Sequence, residues 1–263
     1  MTLTNSYDLL FLKRKNPHPR DERILFDEPT HTYTIDGNSN YTSVTTWNHG
    51  HFSAFNANEV IRNIRKGKKW GPGNKYFGMT DEQIKAMWEE NRDSAARAGT
   101  AMHLNIEYFY NNNSVEDRSV EYSYFLNFVA DFPELTAYRT EWTVFHEKLR
   151  IAGSIDMLFI KPDGTYAIYD WKRSREITKS ASFNKFANKT CIEHLPDSNY
   201  WHYCLQLNTY KYILESKYDI IVSEMYLICL HPENKNNNYQ RIKVVDLGDE
   251  IKDLFKLRML EIS

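Results

Sequence analysis

The stretch "GSIDMLFIKPDGTYAIYDWKRS", residues 153–174, places two carboxylates and an ammonium where a half-buried hairpin wants apolar side chains. Pro162-Asp163-Gly164 is turn chemistry, so the residues on either side read as two antiparallel strands. Asp156 and Asp170 each lie seven residues from Asp163, which sets them opposite one another in the ladder and on one face. Lys172 shares the face of Asp170, because strand side chains two apart point the same way, and Trp171 points away with Tyr169. Two carboxylates this close repel. A divalent cation relieves the repulsion and gains oxygen ligands. The alternative is structural, an ion pair in which Lys172 and backbone donors satisfy the carboxylates.

Three other segments offer donors. "AGTAMHLNIE", residues 98–107, puts His103 on a helix with Glu107 one turn later on the same face. Alone, His103 reads equally as a core histidine. Gly99-Thr100 before it is a close-packing point against a strand or a ligand. "HYCLQLNTYKYI", residues 202–213, carries Gln206 and Tyr210 four apart on a polar stripe, with Leu205, Leu207, Ile213 and Leu214 on the core side. Alone it is an amphipathic surface helix. Glu141, on the strand before Gly153–Asp156, either joins the same site or is a solvated strand-face carboxylate.

These groups need elements to hold them. Residues 24–47 alternate around Thr32–Ile35, and Asp36-Gly37 supplies a turn, giving a small hairpin followed by a helix near Ser43. Residues 56–75 form a short basic helix running into a Gly/Pro loop. Thr80 and Gln83 fit a capping box that opens a helix, which another helix or a continuation extends over 94–110. A further helix covers 115–131 and stops at Pro133. The period then changes to strands at 138–148, 149–160 and 165–172. A helix at 198–217, strands at 220–230 and 239–245 and an amphipathic helix at 249–262 follow. Asn111–Asn113 and Asn234–Asn238 read as loops. This order implies an α/β fold, a mixed sheet with helices on its faces. It divides into an N-terminal hairpin and helical lobe, 1–93, and a core, 94–263.

Composition narrows the class. At 263 residues and 41% hydrophobic, the chain can bury one substantial core, and 14% aromatics argue against disorder. No apolar run approaches the roughly 20 residues of a membrane span. Leu9–Leu12 before three basic residues is too short and wrongly ordered for a secretory signal. Three scattered cysteines, Cys191, Cys204 and Cys229, make no disulfide framework, so a reducing intracellular setting is expected. The net charge of −2 means a polyanion must be held by local patches. The candidates are Arg62, Arg65, Lys66, Lys68 and Lys69 with Trp70 as a stacking ring, Arg92 and Arg97 upstream of His103, and Arg173 and Arg175 after Lys172. Ser43 and Thr45 at a helix start either bind a phosphate or simply cap.

Gly99-Thr100…His103, Gly153…Asp156, Asp170-x-Lys172 and Gln206-x3-Tyr210 stand in the order and spacing of the RecB-like branch of the PD-(D/E)XK nuclease superfamily. The chain resembles that branch over about residues 27–230, and "DEPTHTYTIDG…SVTT" looks like the N-terminus of its phage and viral exonucleases. The resemblance implies an α-β-β-β-α-β core and a stand-alone metal-dependent exonuclease similar to the lambda-exonuclease type. It implies Mg²⁺ or Mn²⁺, one or two ions, on Asp156, Asp170, the carbonyl of Trp171 and His103. Lys172 would serve the water and the phosphate, Gln206 and Tyr210 the DNA backbone, and Glu107 and Glu141 would support the ligands. DNA is the implied partner, with a single-strand annealing or replication protein and further copies of the chain as candidates. Some relatives carry an iron–sulfur cluster on four cysteines; three cysteines here argue against one. No G-x-x-x-x-G-K-[ST] string is present, so no nucleotide or helicase motor is expected. The implied setting is the cytoplasm or nucleus of a host cell, with phage or virus as the source; the Asn/Lys/Ile/Tyr-rich usage of an AT-rich genome fits this. The rival readings are an endonuclease on DNA or RNA, a nucleic-acid-binding module without catalysis, and a globular protein with a structural ion pair.

Overall fold

Alternating apolar residues in the second half of the chain make strands, and 3.6-residue periodicity around them makes the helices that cover both faces. The computed structural model describes residues 7–181 and 185–262. Its elements are α1 (Phe11–Lys15), β1 (Ile24–Asp27), β2 (Thr32–Ile35), β3 (Thr42–Ser43), α2 (Val44–His49), α3 (Ala57–Lys66), α4 (Asp81–Tyr110) and α5 (Val120–Asp131). They continue with β4 (Thr136–His146), β5 (Ile151–Ile160), β6 (Tyr166–Lys172), α6 (Asn199–Lys217), β7 (Val222–Cys229), β8 (Gln240–Lys243) and α7 (Gly248–Ile262). The fold is α/β. One mixed sheet runs β4-β5-β6-β7-β8, with β6 and β7 parallel across the α6 crossover and the other neighbours antiparallel. Among the described residues, no helix is long and apolar enough to cross a membrane.

The sheet separates two cores. On one face, Ile168, Leu158 and Leu227 pack with Leu205, Leu207 and Ile213 of α6 and with Ile251 and Leu254 of α7. On the other, Tyr169, Trp171, Phe159 and Ile228 pack with Met102 and Ile106 of α4 and with Phe125 and Phe128 of α5. The split of β6 is the one strand alternation requires. Tyr169 and Trp171 go to one side, and Lys172 lies over the ring of Tyr203 on α6, 4.6 Å from its centroid.

Three local features differ from the expected ones. The hairpin of β1 and β2 turns at Glu28–His31, where the Asp27 carboxylate accepts from Thr30 N at 3.1 Å. Asp36-Gly37, with φ of 49° and 79°, instead folds Asn38 back onto Ile35. The Thr80–Gln83 capping box forms, and the helix it opens runs unbroken for 30 residues, so the boundary placed at 93/94 falls inside α4. α5 starts at Val120 rather than 115, because the Ser119 hydroxyl accepts from Tyr122 N and caps it there.

β5 is the strand that makes room for a site. Along its first residues it pairs in parallel with β3, Thr42 opposite Ile151 and Ser43 opposite Ala152. Along its last residues the same edge pairs with β6, beginning at Met157 opposite Tyr169. Between these two ladders, residues 153–156 have no strand on that edge among the described residues. The sheet is open there, and the opening holds Gly153 and Asp156.

Candidate functional site

The Pro162–Gly164 turn sets the register as counted: Met157 pairs Tyr169, and the next pair outward would be Asp156 with Asp170. The ladder stops one pair short, and the Asp156 side chain closes the gap by accepting from Trp171 N at 2.9 Å. β4 adds the third acid. Its ladder pairs Thr140 with Met157 and Trp142 with Ile155, which puts Glu141 opposite Asp156. Glu141 takes φ of 41°, a left-handed conformation that costs a non-glycine residue about 1–3 kcal/mol. Its carboxylate accepts from Ser154 Oγ at 3.0 Å.

His103 arrives from α4 across the strand ends. Its Nε2 lies 2.9 Å from the carbonyl oxygen of Trp171. Its Nδ1 lies 3.4 Å from Glu141 and 3.6 Å from Asp156. Burial draws the imidazole pKa down, but the charges of Asp156 and Glu141 outweigh it and push it up to about 9. Burial raises Asp156 as well, opposed by His103. Glu107, one turn along α4, is pushed up to about 7 by burial and then by Glu141. Asp170 is 2% exposed and is pushed up to about 6 by burial and by Asp156. Lys172 Nζ stands 2.6 Å from Asp170 Oδ2. The ion pair with Lys172 is what satisfies that buried oxygen. Burial opposes the Lys172 charge, and Asp170 and Asp156 more than restore it, so its pKa is raised.

A divalent cation suits this set. His103, Glu141 and Asp156 each offer one ligand atom, and the three lie within 4.8 Å of one another. The imidazole of His103 faces the two carboxylates with Nδ1 and is hydrogen-bonded to the Trp171 carbonyl through Nε2. The crowded carboxylates of Glu141 and Asp156 are ligands in want of positive charge. Glu141 belongs to the cluster as closely as the expected ligands do, while Asp170 sits beside it, held by Lys172. The count that aligned Asp156 with Asp170 finds Glu141 too when it is made about the Glu147–Arg150 turn.

A cleft of about 1120 Å³ opens onto His103, Glu141 and Asp156. Gln206, Tyr210, Glu107, Ser43 and Thr45 line it, as does the β1–β2 hairpin. Tyr210 is buried one turn from Gln206 on α6, and burial drives its phenol well above the usual range. Gly153 explains the close approach: a Cβ there would meet Tyr210 Oη at 2.7 Å and a Val44 methyl at 3.0 Å. Ser43 caps α2, accepting from Thr46 N at 3.0 Å, so the capping reading is the one its hydrogen bond supports. Gly99 and Thr100 also line the cleft; nothing lies within 4 Å of a Cβ built on Gly99, so the position faces open space rather than a packed strand.

The basic residues divide. Arg173 is held by Glu121 at 2.7 Å with both side chains mostly buried, so it is a structural pair and not a free phosphate contact. Arg65 pairs with Asp81 at 2.6 Å, and Arg97 approaches Glu90 at 3.6 Å with both exposed. Arg92 and Arg175 are likewise paired with acids. Among the described residues, Arg62, Lys66, Lys68 and Lys69 are exposed without an ion-pair partner, and Trp70 packs on Phe77 at 5.6 Å. None of this segment lines the cleft. Arg65 anchors it at Asp81, the start of α4, which at 1.5 Å per residue is roughly 33 Å from His103 along the helix.

No family model matches the chain, and no curated protein matches it. Among solved structures, one titled "Crystal structure of SSO0001" is 13% identical, with a TM-score of 0.31 over 86% of this chain and 77% of that one.

Proposed function

We propose that the chain is a divalent-metal-dependent nuclease of the RecB-like PD-(D/E)XK kind that hydrolyses DNA phosphodiesters from strand ends. The observation that carries this reading is the convergence of His103, Glu141 and Asp156 on a cleft at one opening of the sheet, with the mostly buried Asp170–Lys172 pair next to them on β6. His103, Glu141, Asp156, Asp170 and the Trp171 carbonyl would hold Mg²⁺ or Mn²⁺. The ion supplies Lewis acidity toward the phosphate and lowers the pKa of a bound water. Lys172 keeps its proton beside Asp170, which suits it to neutralising charge on the phosphoryl oxygens. Gln206 and Tyr210 hold the strand against the floor, and Glu107 fixes His103 or a water from α4. Arg62, Lys66, Lys68 and Lys69 would guide the more distant part of the strand by charge.

The test is cleavage of end-labelled linear DNA, closed circular DNA and RNA with Mg²⁺, Mn²⁺ or EDTA. Metal-dependent loss from linear DNA ends, with circles intact and Asp156→Asn silent, is the expected result. Nicked circles would replace the exonuclease reading by an endonuclease one. Undiminished activity in Asp156→Asn would overturn the assigned site.

A further inference from the structure

The β1–β2 hairpin changes character along its length. Its cross-strand pairs put Ile24 opposite Ile35 and Phe26 opposite Tyr33, two residues apart and therefore on one face. The first pair is core: Ile24 and Ile35 are buried against Phe145 and Ala152 of the main sheet. In the second pair Tyr33 belongs to the same core, and both Tyr33 and Phe26 line the cleft. The Phe26 and Tyr33 rings stack at 4.5 Å with 28° between their planes. Tyr33 is the buried underside, whereas Phe26 is 36% exposed. His31, at φ of 50°, adds a third ring 5.6 Å from Phe26. An apolar ring stacked on a second ring, partly exposed and lining a cleft, is a platform for a planar π-system.

The charge beside the platform says which part of a nucleotide it takes. Glu28 at the turn and Glu107 on α4 line the same cleft, and neither would welcome a phosphate. The wall is aromatic and acidic, and His103, Glu141 and Asp156, the residues that would hold a cation, line the same cleft.

We propose that Phe26 stacks an unpaired nucleobase of the strand end whose phosphate lies at the His103–Asp156 cluster, making the hairpin a base-binding wall of the active cleft. This rests on the nuclease reading. Base–aromatic stacking tolerates any base, so the platform selects for an unstacked, single-stranded end and not for sequence.

Fluorescence anisotropy tests this with short single strands in Ca²⁺, strand integrity being checked on gels. Each strand carries either a normal terminal nucleotide or an abasic one, at either terminus. For the wild type, loss of one terminal base should weaken binding about tenfold, within the range of one base–aromatic stack. Phe26→Leu keeps apolar bulk on the hairpin without a π face, and should bind both strands alike. Phe26→Tyr should retain the difference, and terminal 2-aminopurine should be quenched by wild type and Phe26→Tyr only. Equal wild-type affinity for normal and abasic strands at both termini would overturn the proposal, as would a full difference in Phe26→Leu. Cleavage in Mg²⁺ or Mn²⁺ is scored separately. Cleavage without base dependence removes the platform and leaves the nuclease; base dependence without cleavage removes the nuclease and leaves a strand-binding cleft.

Discussion

Asp170 and Lys172 show how far single residues constrain the chemistry. They are a nearly buried ion pair, and removing one member leaves the other unpaired at a cost of about 3–5 kcal/mol. Lys172→Met alone should therefore lower the denaturant midpoint sharply as well as silence the protein. Asp170→Asn with Lys172→Met should recover most of the stability and none of the activity. A double variant as unstable as the single would show that the pair is not what links the two positions. Gly153 offers a second test, because the Cβ of Gly153→Ala meets Tyr210 and Val44 inside van der Waals distance. Overpacking of this kind costs about 1–3 kcal/mol. Tyr210→Phe in the same chain should recover part of it in thermal melts, since the hydroxyl is the nearest obstacle. The register that sets Asp156 toward Asp170 could be read from sequence because a tight turn fixes it. Glu141 could not be assigned as surely, since its left-handed φ within a strand has no marker in the residue type. The acid partner that claims Arg173, Glu121, lies 52 positions away, and no local pattern announces such a contact.

Helix α4 is the element that joins the parts. Its capping box and apolar spacing make it legible, and its length follows from the absence of any breaker stronger than Gly99. A glycine inside a helix costs about 0.5–1 kcal/mol relative to alanine. Because no described residue lies within 4 Å of a Cβ at Gly99, Gly99→Ala should raise stability by that amount. The same methyl would project where the cleft passes the helix. Activity on strand ends should fall through a higher KM while thermal stability rises. Unchanged KM with raised stability would mean that no substrate passes Gly99. The hairpin was legible as a hairpin but not in its turn. Asp36-Gly37 is the stronger turn signal, yet Asp27 and Pro29 place the β1–β2 reversal earlier, and that shift puts Phe26 opposite Tyr33. The basic helix α3 was likewise legible, but its distance from His103 depends on α4 being one rod.

At the scale of the whole molecule, acids paired with arginines tie the N-terminal segment to the sheet. Asp21 accepts from Arg139 at 2.8 Å and from Trp142 Nε1 at 2.7 Å. Glu147 meets Arg20 at 2.8 Å and Arg23 at 3.1 Å. Burial opposes both charges, but the hydrogen-bonded arginines win: Asp21 lies below its ordinary value and Glu147 falls to about 2. A depressed carboxylate stabilises the fold fully above its unfolded pKa and loses that contribution as pH falls through its folded one. Stability should therefore hold down to about pH 4 to 5 and decline steadily toward pH 2, read from urea midpoints across that window. Glu147→Gln should flatten part of the decline. A cation held at the proposed site would act on the same equilibrium. If it binds only the folded protein, Mn²⁺ at a hundred times its dissociation constant adds about 2.7 kcal/mol. For a chain of this size each kcal/mol is worth about 2–4 °C, so Tm should rise by roughly 5–11 °C. The rise should vanish in Asp156→Asn and persist in Phe26→Leu, because the first removes a ligand and the second only the cleft wall. An equal rise in wild type and Asp156→Asn would place the ion elsewhere and leave the cluster at the sheet opening as an ion-pair network.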